Sequence, residues 1–112
     1  MQHDDLSYLT DILQAAKLVV SFVQDVDEQA FSQDVMRQSA VIRQIEVMGE
    51  ATKRLSDSIR NEQPGISWRK IAGMRDILIH AYDHVDIAEV WNTATVAIPQ
   101  LIKQIEQLTA LD

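Results

Sequence analysis

Val41-Ile-Arg-Gln-Ile45-Glu-Val-Met48-Gly-Glu-Ala-Thr52-Lys-Arg-Leu55-Ser-Asp-Ser-Ile59 sets its inward-facing candidates at alternating steps of four and three. On an α-helix that spacing stacks the side chains on one face, whereas a strand would bring up every second residue. The stretch therefore predicts one long helix from about Ser32 to Arg60, with Val41, Ile45, Met48, Thr52, Leu55 and Ile59 as its seam. A seam of this kind is buried only if other helices cover it, and the rest of the chain supplies them.

Upstream, Leu6, Leu9, Leu13, Ala16, Val20 and Val23 recur at steps of three and four. They predict an amphipathic first helix that starts after Asp4 or Asp5 and ends around the acidic Asp25 to Glu28 stretch. Downstream, Asn61 to Gly65 closes the long helix, and Ser67 is placed to cap a third helix with Ile71, Met74 and Leu78 inside. Asp86 and Glu89 form a capping pattern, with Val85 placed to staple onto Val90, so a fourth helix should start at Ile87. Its inner face is read as Val90, Ala94, Ala97, Leu101, Ile105 and Leu108. Pro99 lacks a backbone donor and crowds the carbonyl four residues back, which predicts a kink or short break near Thr95 to Ile98. Short connections make neighbouring helices antiparallel, so the fold expected is an all-α antiparallel bundle of four to five helices.

At 112 residues, 46% of them apolar and 24% charged, the chain has the balance of a globular protein, and a single domain over 1–112 is expected. There is no cysteine, which removes disulfides, thiolate metal sites and cysteine nucleophiles from consideration. The start, Met1-Gln2-His3-Asp4-Asp5, has neither the basic nor the apolar part of a signal peptide, and no unbroken apolar run approaches the ~20 residues of a membrane span. A cytoplasmic location away from membranes is the expectation.

The net charge of −7 argues against bulk electrostatic binding of nucleic acid, but the charge is unevenly spread. Residues 1–34 carry a net −6, 35–52 are neutral, 53–75 carry +4 and 76–112 carry −5. The basic segment leads directly into Arg75. Solvated surface is the plain reading of Lys53, Arg54, Arg60, Arg69 and Lys70, with Arg69 and Lys70 kept as candidate phosphate contacts.

Arg75 stands five residues before His80, and Tyr82 two beyond. Cleavage of a phosphodiester by its own 2′-hydroxyl needs a base, an acid and a counter-charge for the phosphate. His80 is the only motif residue of a type whose unperturbed pKa lies near neutrality, which makes it the candidate for the acid–base work. Arg75 is always charged and offers paired donors to phosphate oxygens. Neither a metal nor another cofactor is called for. At ~100° per residue, positions 75 and 80 lie about 140° apart on an unbroken helix, while 75 and 82 share a face. Either the helix breaks near Ile79 to Ala81, or two copies meet about a two-fold axis and each supplies part of one cleft.

The spacing Arg75-x4-His80-x-Tyr82 resembles the signature of HepT-type toxins in the HEPN ribonuclease superfamily. The likeness extends to Gly49-Glu50-Ala51 on the long helix, to Pro64-Gly65-Ile66-Ser67-Trp68 before the motif, to the polar Asp76 after the arginine and to Val85-Asp86 at the last helix. The resemblance implies a HEPN-like bundle and a metal-independent endoribonuclease that leaves a 2′,3′-cyclic phosphate, with Arg75 and His80 catalytic and Asp76 in support. It also implies a composite site at a homodimer interface, in a dimer or a higher assembly of dimers. By the same resemblance, Tyr82 receives AMP from a minimal nucleotidyltransferase antitoxin, and the substrate is RNA. The acidic balance favours a structured RNA such as tRNA.

Three other readings stay open beside this one. His80, Asp83 and His84 suggest a metal site, although the glutamate of a zinc-protease helix is missing between the histidines. Glu46 and Glu50 share a helix face without the Glu-x-x-His partner of di-iron bundles, and pairing with Arg43, Lys53 or Arg54 accounts for them. A catalytically silent helical module that binds a nucleotidyltransferase or a nucleotide is the rival from another class. Trp68, Met48, Met74 and Trp91 are read as core.

Overall fold

The computed structural model describes the backbone of residues 3–80 and 86–110 and the side chains of 4–74 and 86–109. Those residues form α1 (His3–Val23), α2 (Glu28–Ser32), α3 (Val35–Lys53), α4 (Asp57–Glu62), α5 (Trp68–His80), α6 (Ile87–Asn92), a π-helical turn at Thr93–Ala97 and α7 (Ile98–Ala110). No strand occurs among them. The result is the all-α antiparallel bundle: α1 packs against α3 and α7, and α3 packs against α5 as well.

The seam predicted from Val41 to Ile59 is buried at every position, but it belongs to two helices rather than one. The chain breaks at Arg54 to Ser56. Ser56 starts α4 by accepting the Ile59 N–H on its hydroxyl, while its own N–H and O–H donate to the Asp5 carboxylate at 2.9 and 2.6 Å. The Arg60 guanidinium reaches back to the Thr52 and Lys53 carbonyls at 2.8 and 3.0 Å, which satisfies the acceptors exposed at the end of α3. Arg60 is thus a capping residue, where the sequence suggested solvated surface.

At its other end the long helix starts later than expected, at Val35. Asp34 accepts the Arg37 N–H at 3.0 Å and its other oxygen pairs with the Arg37 guanidinium at 3.1 Å. Those hydrogen bonds, the backbone one foremost, hold the Asp34 carboxyl below its usual pKa. The same guanidinium donates to the Phe22 carbonyl at the end of α1. The separate α2 turn is capped by Asp27, and its Phe31 is fully buried with its ring 5.3 Å from that of Trp91.

The first helix ends where the sequence placed it, at an Asp25 whose φ of 60° lies in the left-handed region that aspartate tolerates better than most residues. Its buried face differs from the one predicted. Leu9, Ala16 and Val23 are buried, but Leu6 is exposed, Leu13 and Val20 are half-buried, and Ile12, Ala15 and Val19 lie in the core. The helix is apolar over so wide an arc that its pattern permits either phase, and contact with α3 and α7 selects one. By length and composition Asp4–Val23 also passes as a membrane span, which the absence of an unbroken apolar run had not suggested. Here its apolar arc packs against α3 and α7.

Asp86 caps α6 by accepting the Glu89 N–H at 3.2 Å, as expected. The predicted disturbance before Pro99 is the π-helical turn, in which the Ile98 N–H donates to the Thr93 carbonyl. A wider turn relieves the crowding that a proline ring imposes on the carbonyl four residues back. Its extra residue also shifts the inner face, so that Ile98 is fully buried and Ala97 only half so. The Val85 staple lies outside the described residues, as does the side chain of Leu78.

Candidate active site

The helix that carries Arg75 and His80 is fixed at its base. Ile66 N–H donates to the Gln63 carbonyl at 3.2 Å, Trp68 N–H to the Ile66 carbonyl at 2.9 Å, and the Ile71 N–H to the Ser67 carbonyl at 3.1 Å. The Trp68 indole N–H adds a bond to the Gln63 carbonyl at 3.1 Å. Ile66, Trp68 and Ile71 are buried and Met74 is half-buried, so the first turns of α5 are clamped against the bundle by side chains as well as by backbone. Trp68 is therefore core, as the sequence suggested.

Positions 75, 76 and 80 lie on the continuous helix α5. Their side chains lie outside the described residues, as do Tyr82, Asp83 and His84 altogether. The backbone bears on one expectation: α5 stays helical through His80, so a break within Ile79–His80 does not occur. Positions 75 and 80 accordingly stand about 140° apart around one axis. The metal reading of His80, Asp83 and His84 falls outside the described residues; among those described, no cluster of metal-ligating side chains occurs.

Arg69 and Lys70 are exposed in the first turn of α5, which holds no acidic residue. Two cations at a helix N-terminus oppose the helix dipole by a few tenths of a kcal/mol each. Helix stability therefore does not account for them, and they leave the start of α5 positively charged. Arg43 pairs with Glu46 at 3.4 Å, which accounts for one of the two glutamates considered for a metal. Arg54 and Glu50 line a surface groove with Tyr8, Asp11 and Arg43.

Gly73 sits in the middle of α5, seven residues before position 80 and so within about 20° of it around the axis. A Cβ added there would meet nothing within 4 Å. Because glycine in a helix interior costs about 0.5–1 kcal/mol against alanine, Gly73→Ala is expected to raise unfolding stability by that amount in urea titration. A destabilised variant would mean that the site is closed to a methyl group.

A cleft of about 170 Å³ is lined by Lys70, Ile71 and Met74 from α5 and by Ile98, Gln100 and Gln104 from α7 among others. The sequence reading passed over the two glutamines, which carry no motif and become neighbours of α5 only through the fold.

The family described as "Ribonuclease HepT-like" matches residues 12–108 of this chain. Among similar proteins, "Putative RNase MJ0125" of Methanocaldococcus jannaschii is 39% identical over 107 residues, which cover 96% of this chain and 92% of that protein. "Probable ribonuclease HepT" of Thermococcus cleftensis is 39% identical over 108 residues, covering 96% and 98%. "Putative RNase TTE0752" of Caldanaerobacter subterraneus is 36% identical over 101 residues, covering 90% of each. No solved structure matches the chain.

Proposed function

Because this chain belongs to the HepT-like ribonuclease family, we propose that it is a metal-independent endoribonuclease whose cleft is assembled from two copies. The match over residues 12–108, which contains the whole Arg75-x4-His80-x-Tyr82 spacing, carries this reading. In the proposed reaction the 2′-oxygen of one nucleotide attacks the adjacent phosphorus as its proton leaves, and the bond to the 5′-oxygen breaks as that oxygen gains a proton. The products are a 2′,3′-cyclic phosphate and a 5′-hydroxyl. His80 handles a proton, Arg75 neutralises charge that grows on the phosphoryl oxygens, and Asp76 supports them. Arg69 and Lys70 draw in the RNA backbone at the start of α5.

The continuity of α5 through His80 supports the two-copy cleft, since residues some 140° apart on one helix converge more readily on a group held between two helices than on one held by either alone. The open face at Gly73 supports close approach of a second backbone, whether of RNA or of protein.

The decisive experiment is to incubate the purified protein with RNA in excess EDTA and sequence the new ends. Cleavage with cyclic phosphate ends is expected. RNA left intact by the unmodified protein would favour the silent interaction module, and cleavage that EDTA abolishes would favour a metal enzyme.

The toxin reading extends the proposal: a nucleotidyltransferase antitoxin adds AMP to Tyr82, filling the cleft and offsetting the charge of Arg75. With such a partner and ATP, the intact mass should rise by one adenylate or more, and Tyr82→Phe should show no rise. Adenylate found on another residue of that variant would count against Tyr82 as the acceptor.

A further inference from the structure

The bundle covers α5 from one side. Trp68 and Ile71 are buried and Met74 is half-buried, so the face turned away from the core is centred opposite Ile71. Position 80, nine residues beyond Ile71, stands about 180° from it and lies at the centre of that outer face. Positions 69 and 73 fall on the same line, each within about 20° of position 80. Arg69, Gly73 and His80 thus form one stripe along the outside of the helix. Lys70 stands about 80° round from position 80, on the side that lines the cleft with α7. Asp76, the acid of this helix, lies about 40° off the line.

The stripe suits a phosphodiester chain. Arg69 is exposed at one end of it, and among the described residues no carboxylate pairs with its guanidinium, whereas Arg37 and Arg43 are paired with Asp34 and Glu46. Gly73 leaves the helix without a side chain between the two ends, and a Cβ there would meet nothing within 4 Å. Glycine weakens a helix interior and no close contact within this chain calls for it, but a strand lying over the helix does. From position 69 to position 80 the axis rises about 16 Å. Two groups so far apart cannot hold the same phosphate.

We propose that the RNA strand runs along this outer stripe and over Gly73, and that Arg69 holds a phosphate about two to three nucleotides from the one that is cut. This path rests on the ribonuclease reading and adds to it a register for Arg69 and a use for Gly73.

The test takes an RNA whose cut site has been fixed by sequencing its ends and replaces one flanking phosphate at a time with an uncharged methylphosphonate. Cleavage in EDTA is then measured with the native protein and with Arg69→Ala. One methylphosphonate, on one side of the cut, should raise KM about ten-fold for the native protein, the low end of what a hydrogen bond to a charged group contributes. Arg69→Ala should raise KM by a similar factor with kcat little changed, and combining the two should add no further loss, because both remove one contact. At the other positions the two losses should multiply. Arg54→Ala, which removes a cation elsewhere on the surface, should leave KM as it is. Gly73→Leu should also raise KM, by crowding the strand. Leucine favours a helix, so this variant should fold, which circular dichroism checks.

If the Arg69→Ala loss multiplies with every methylphosphonate, no phosphate is held by Arg69 and the path is rejected. A folded Gly73→Leu protein that separates into single copies by light scattering, yet binds RNA as tightly as the native protein, assigns that face to protein contact and also rejects the path. Cutting in EDTA with either of these results rejects the path alone. If the protein never cuts, equilibrium binding of a 2′-O-methyl oligouridylate decides. Binding weakened by Arg69→Ala and by Gly73→Leu but not by Arg54→Ala, with a slope of log affinity against log salt lower by about 0.7 for Arg69→Ala, supports the path and rejects the ribonuclease reading. Equal binding by all four proteins rejects both.

Discussion

His80→Ala should lower RNA cleavage by about 10²–10⁴-fold, the usual contribution of a positioned general acid or base, and leave helix content unchanged. Arg75→Ala should cause a loss of similar order, since a charge-stabilising donor commonly contributes 10²–10³-fold. The two variants together test the assembly more sharply than either does alone. If each cleft takes its arginine from one copy and its histidine from the other, a mixed dimer of the two variants contains one cleft with both groups intact. Random exchange makes half of the dimers mixed, so equal mixing should restore roughly a quarter of the native sites. Activity should appear on mixing two inactive proteins. If mixing restores nothing although exchange of subunits is verified, each cleft draws both groups from the same copy, and the composite site is rejected. A His80→Ala protein that cuts at the native rate would remove the imidazole from the mechanism.

Asp5→Ala should be among the most destabilising single changes in the chain outside the apolar core. The Asp5 side chain is almost fully buried, with 2% of its surface exposed, and it receives both the N–H and the hydroxyl of Ser56. Removing the carboxylate leaves two partly buried donors without that acceptor and a void where it stood. Hydrogen bonds to a charged group contribute about 1.5–3 kcal/mol, and an unsatisfied donor costs a comparable amount. A net loss of about 3 kcal/mol is therefore expected, a fall in Tm on the order of 10 °C for a chain of this size. Asp5→Asn, which retains one acceptor oxygen, should fall between the variant and the native protein. The comparison is made by urea denaturation. If Asp5→Ala unfolds at the native midpoint, the link to Ser56 contributes nothing net and the break between α3 and α4 has another cause.

The same link shows where local pattern stops. Every residue of the seam from Val41 to Ile59 is buried as its spacing predicts, because a helix repeats its face over any stretch short enough to stay in phase. That spacing does not register the interruption at Ser56, because α4 resumes in nearly the same phase. At the interruption the backbone is hydrogen-bonded to a carboxylate 51 residues away along the chain. Ser56 caps α4 locally through its hydroxyl, and what the apolar spacing does not contain is the second partner that α1 brings, the Asp5 carboxylate.

By itself the sequence determined the helical class, the caps at Ser56-independent ends such as Asp86, the disturbance ahead of Pro99 and the placing of Arg75 and His80 on one helix. Those properties depend on residues within a turn or two of each other. Tertiary structure alone decided which arc of α1 is buried, with Ile12 and Val19 inward and Leu6 outward, and where the long helix is cut. It also brought Gln100 and Gln104 up to Lys70 across the cleft. Such outcomes depend on which surfaces meet, and periodicity along one helix holds no information about the helix that will cover it.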